Sequence, residues 1–263
     1  MEQVHAPGRG TRAIAWAAIC FLVLPITVVF PVSLTDKRYL SLPHDAISFE
    51  HYANLFASRE WLGSILQSLY IGIVSTVFAV TLGTLCAIGC WRLSSRASEF
   101  VRALMLVPII VPTIVYALGI YRFWIDLRLL DTYTGIIIVH AVTGIPYVVV
   151  TVSTALASFD QRLEQAARNL GATMRQTLWR VVLPNIIPGV VSGAIFAFIH
   201  SWDELVIVLF IASRAVFTLP RRIWDGINEH LDPTMAAVAT ALIALTVVLL
   251  LLDLAVRRRK EMQ

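Results

Sequence analysis

The chain has 263 residues, of which 58% are hydrophobic and 14% charged, with a mean hydropathy of +0.76 and a formal net charge of +4. Soluble domains average about 45–50% apolar and about 25% charged residues. An apolar excess spread over the whole length excludes a soluble enzyme, a disordered chain and a soluble domain with one anchor, and leaves a polytopic α-helical membrane protein.

Apolar runs of about 20 residues mark candidate spans, and six occur, at 14–34, 63–91, 101–121, 135–157, 186–211 and 235–256. The first follows Arg9 and Arg12 and invites comparison with a signal peptide. It is longer than the about 7–15 residues of a signal core and no A-x-A site closes it, so a retained helix is expected. Cys20, Cys86 and Cys90 all lie inside apolar stretches and are read as small packing residues.

Orientation follows from the basic residues. With both termini inside, 13 of the 21 Lys and Arg fall in inside segments, close to span ends. Both termini are therefore expected in the cytoplasm. The basic pI of about 9.2 then reflects these flanks, and no nucleic-acid partner is expected. The outer loops are 35–61, 122–134 and 212–234, and the long inner loop is 158–185. Short helices are expected around 47–56 and, opened by Pro220, around 219–229. No soluble domain fits anywhere, so the whole of 1–263 reads as a single transmembrane domain.

The third span contains Pro108 and Pro112. Each removes a backbone hydrogen bond and pushes on the carbonyl four residues back. Such a helix either lines a moving pathway or holds a static kink. The fifth span contains His200, Ser201, Trp202, Asp203 and Glu204. A carboxylate at membrane depth costs roughly 3 kcal/mol or more. Two adjacent acids imply water, a partner or a cation nearby, or else bonds to helix ends. Facing a cavity, the patch suits a polar, cationic solute, with Tyr70, Tyr116 and Tyr147 as candidate aromatic walls and Gly193 continuing a polar strip inward. A His-x-x-Asp-Glu metal site lacks a full ligand set. His140 reads as a hydrogen-bonded packing histidine, and Asp253 as a partner for Arg257.

The inner loop carries the most specific signal. Leu163, Ala166, Ala167 and Leu170 form one apolar stripe, Gly171 interrupts, and Thr177, Leu178 and Val181 continue a stripe before Pro184 and Pro188 open the next span. This is an amphipathic helix pair, suited either to the membrane surface or to a cytoplasmic partner.

The spacing Gln165-Ala166-Ala167, then Gly171, then Val181-x-Leu183-Pro184 resembles the EAA loop of binding-protein-dependent, MetI-like ABC importer permeases. Gln165 stands where the family has Glu and Val181 where it has Ile, and Glu164 lies one position earlier. Val107-Pro108 to Pro112 with Gly119 is similar to the third core helix of these permeases. Ser201-Trp202-Asp203-Glu204, then Thr218-Leu219-Pro220 and Asp232-Pro233-Thr234, resembles the spermidine/putrescine branch, a pattern shared with importers of opines, other amines and aminophosphonates.

The resemblance implies a type I importer permease fold in a bacterial inner membrane. It implies an ABC ATPase dimer seated on Glu164, Gln165, Ala166, Ala167, Gly171, Leu183 and Pro184. It further implies a second, non-identical permease subunit and a periplasmic or lipid-anchored binding protein. A P-loop needs Gly-x-x-x-x-Gly-Lys-Ser/Thr. The two lysines, Lys37 and Lys260, follow no glycine loop. ATP and Mg are thus expected on the separate ATPase, with no cofactor in this chain. Ion-driven transport is the rival, and no constellation supports an enzyme.

Overall fold

The protein is described by a computed structural model covering residues 8–230 and 232–261. Among the described residues all regular structure is helical. The helices are α1 (Arg9–Thr27), α2 (Val29–Val32), α3 (Glu50–Ala57), α4 (Arg59–Leu93), α5 (Arg96–Ile110), α6 (Thr113–Asp126) and α7 (Tyr133–Ala157). There follow α8 (Gln161–Asn169), α9 (Met174–Thr177), a π turn (Leu178–Val182), α10 (Leu183–Asp203), α11 (Val206–Ile211), α12 (Leu219–Asp225), a second π turn (Gly226–His230) and α13 (Thr234–Glu261).

The chain forms two compact units, one from residues 63–222 and one from residues 1–62 with 223–263. In the terminal unit, α13 packs on α2 and α3. Tyr52 on α3 shares a 2.7 Å hydrogen bond with Ser33 just beyond α2. Lys37 pairs with Asp36 at 3.1 Å and with Asp45, which fixes the turn before α3. The expected short helix near 47–56 is therefore present as α3. The Asp253–Arg257 pair lies outside the described side chains.

In the central unit, α7 is the axis. It is buried along most of its length, from Gly135 to Leu156, and α10 is its most extensive neighbour. Lipid is as apolar as leucine, so membrane helices associate by close approach at small residues. Gly193 on α10 shows this: a Cβ there would stand 2.6 Å from Thr151 Oγ1 and 2.9 Å from Val148 Cα. Gly193 is thus a packing contact, and the polar strip expected through it does not form.

Two cores flank α7. One joins Ile71, Ala117, Trp124, Ile136, Val139, Ile207 and Val208. The other joins Ala79, Ala87, Val148, Val152, Val182, Ile186 and Ala197.

Two expected spans are not continuous. The third breaks into α5 and α6, whose axes meet at 103°. The residue before a proline is pushed out of the helical region, and Val111 is extended at φ −75°, ψ 128°. Pro112 therefore makes the break, while Pro108 stays inside α5. The fifth span ends at Asp203, and α11 resumes at Val206. Among the described residues, four helices are long and apolar enough to cross a membrane, or five if the bent pair counts as one span. Thr234–Val248, the first part of the 28-residue α13, is a further, shorter apolar helix.

Candidate functional site

The 158–185 loop folds as its pattern predicts. Asp160 opens α8 by accepting the Arg162 N–H at 2.9 Å, satisfying a donor the helix itself leaves unpaired. Glycine then takes the left-handed conformation that stops the helix: Gly171 has φ +87°. Thr173 and Gln176 form a capping box for α9. The π turn follows where Pro184 has no N–H to give the Arg180 carbonyl. Leu183 N–H instead reaches back five residues to the Leu178 carbonyl. Leu183 and Pro184 thus sit in the first turn of α10.

The stripe on α8 is open. Leu163 is 46% exposed and Leu170 is 89% exposed, with Gln165 and Ala166 exposed beside them. Glu164 faces the other way and is buried, where its carboxylate accepts from Arg92 Nη1 at the end of α4. Arg92 also lies 4.9 Å above the Trp91 ring, and Trp91 meets Phe159 edge-on at 6.0 Å. The sequence spacing exposed Glu164 and Gln165 as neighbours but gave no sign that they point to opposite sides. Arg92 was legible only as an inner-side base.

The membrane patch separates into two groups. Tyr147, Phe196, Ile199, His200, Asp203 and Glu204 line a cavity of about 240 Å³. The His200 ring stands 5.1 Å from that of Tyr147. Asp203 is exposed. Glu204 is buried, and its Oε1 accepts the Ile207 N–H at 3.0 Å, holding the first turn of α11. Ser201 turns away from the cavity, bonding His140 Nδ1 at 2.7 Å and Ser75 Oγ at 3.1 Å. His140 is thereby the packing histidine expected. Trp202 stacks on Phe198 at 5.8 Å. Tyr70 pairs with Tyr133, and Tyr116 packs into the core of Ile71 and Val139. Of the three tyrosines, only Tyr147 lines the cavity.

One constellation had no signal in the sequence. The Asp131 carboxylate accepts the backbone N–H groups of Ser213, Arg214, Ala215 and Val216 at 2.7–3.3 Å. Asp131 itself has φ +54°, a conformation Asp tolerates better than most residues. Its N–H donates to the Ile211 carbonyl at 2.8 Å, so one residue ties the α6–α7 turn to the segment after α11. Partial burial alone would raise its pKa, but the four amides outweigh that and hold it below the usual carboxylate range.

Residues 79–261 match the family described as the binding-protein-dependent transport system inner membrane component. The chain is 27% identical over 250 residues to the spermidine/putrescine transport system permease protein PotC of Haemophilus influenzae, covering 95% of this chain and 97% of that one. It is 28% identical over 260 residues to the trehalose transport system permease protein SugB of Mycobacterium tuberculosis, covering 94% of each. Its fold is similar to a chain of a bacterial ABC transporter involved in the import of alginate, with a TM-score of 0.66 at 17% identity, over 95% of this chain and 99% of that one. These relatives are transport subunits rather than enzymes, which removes the ion-driven and enzymatic rivals. The chain belongs to the binding-protein-dependent transport system inner membrane component family, and is a membrane-spanning permease component of an ABC importer that works with an ATPase and a substrate-binding protein.

Proposed function

We propose that this permease passes a small polyamine or related amine, delivered by its binding protein, between itself and a second, non-identical permease subunit in a bacterial inner membrane. One observation carries the substrate class: Asp203 and Glu204 open onto the same cavity as the Tyr147 and His200 rings, at the break between α10 and α11. Carboxylates with an aromatic face beside them suit an ammonium group. The likeness to a spermidine/putrescine permease supports the same class. The loop from Gln165 to Pro184 supplies the surface for an ATPase dimer, which carries the ATP and Mg, while Glu164, expected on that surface, is turned inward onto Arg92. The open stripe of α8 supports that assignment.

The likeness to SugB favours a second reading, a neutral sugar. Asp203→Asn separates the two, because it keeps size and removes charge. In proteoliposomes, putrescine uptake is expected to fall on the order of ten-fold, equivalent to about 1.4 kcal/mol, with the ATPase still co-purifying. Undiminished uptake of trehalose by both forms, with none of putrescine, would reject the amine reading.

A further inference from the structure

The family's acidic position in this loop holds Gln165, which is exposed, while the acid one residue earlier is turned inward. Glu164 and Arg92 are 72 residues apart in sequence, and their pairing joins α8 to the inner end of α4. Around it sit further contacts of the same join. The Arg92 guanidinium lies over Trp91. Trp91 abuts Phe159, which lies in the short link between α7 and α8. Arg92 Nη2 is buried with no hydrogen-bond partner, so the guanidinium is held by the carboxylate and by the ring together. A notch of about 330 Å³ beside the pair is lined by Gln161, Gln165 and Arg168. Both partners have little solvent access, at 24% and 11% of their side-chain surface, so the pair is screened less than an exposed one.

We propose that Arg92 and Glu164 are positioning residues of a clasp that makes α8 a rigid extension of α4. Force applied to the open stripe of α8 then moves the long helix α4 directly, rather than being absorbed in the 158–160 link. This rests on the assignment of α8 as the ATPase contact. The inward acid does the joining, and Gln165 stays on the exposed side with Leu163 and Ala166 for the ATPase.

The test uses the complex purified with its ATPase, with Cys20, Cys86 and Cys90 replaced by serine. Spin labels are placed at Leu93→Cys and Arg162→Cys, exposed positions at the ends of α4 and α8. The distance between them is expected to stay the same with and without ATP and vanadate. In Glu164→Gln it should lengthen or broaden on trapping, and the ATP hydrolysed per putrescine imported should rise about five-fold. Arg92→Lys should retain most of the coupling, and the exchange Arg92→Glu with Glu164→Arg should restore the fixed distance. A distance that changes on trapping with Glu164 intact overturns the clasp, as does an unchanged distance and ATP ratio in Glu164→Gln. The unsubstituted chain needs only to assemble, so a poorly folding variant does not spare the proposal. If no ATPase binds the chain, the contact surface and the clasp fall together. If it binds but α4 and α8 move apart, only the clasp falls.

Discussion

Asp131 does more for the fold than its place in a loop suggests. Its carboxylate gathers four amide donors, and charge-assisted bonds of this kind are each stronger than neutral ones. The ionised form is the one that binds, so its pKa falls on folding. The stabilisation is present above the ordinary carboxylate pKa of about 4 and is lost as pH falls through the lower folded value. Asp131→Asn offers one acceptor oxygen in place of two and no charge, and is expected to cost about 1–2 kcal/mol. Thermal unfolding in detergent should show a lower midpoint for Asp131→Asn at neutral pH. The difference from the parent should shrink in strong acid. Glu204 is the counterpart within the membrane patch. Sequence marked it as a cavity acid, and it lines the cavity, but it also holds α11 through Ile207. That second duty depends on where α10 stops, which no local pattern announces.

At the scale of the helix, the sequence was most legible where periodicity and turn chemistry agree. The α8–glycine–α9 arrangement follows from the apolar spacing and from Gly171. Gly171 sits at positive φ with nothing within 4 Å of a built Cβ, so substitution there strains the backbone without a clash. Gly171→Val is expected to cost roughly 1–2 kcal/mol locally and to tilt α8 away from α9. Transport should drop while the protein still folds, and loaded binding protein should no longer stimulate ATP hydrolysis. Stimulation at the parent level would show that this turn does not set the contact. The prolines were legible as a disturbance, but not the 103° corner, because its size depends on Val111 leaving the helical region and on α6 finding α11 to pack against. Gly193 was misjudged for a related reason. A glycine beside polar residues looks like part of a polar path, yet its use here is the absence of a side chain against Val148 and Thr151.

For the molecule as a whole, hydropathy marked the membrane helices, and a fixed motif marked the loop proposed to receive the ATPase. The Arg92–Glu164 and Asp131 contacts were invisible because they join segments 72 or more residues apart. The open stripe on α8 has a further consequence in the cell. Leu163, Leu170 and nearby Trp179 are 46%, 89% and 61% exposed, on a segment expected to project from the membrane into water. A copy inserted before its ATPase arrives displays the greasy, solvated helix that quality-control proteases engage. ATPase supply would then govern how long each copy survives. In a pulse-chase without the ATPase, the half-life of this chain should shorten several-fold, and Leu170→Gln should lengthen it again.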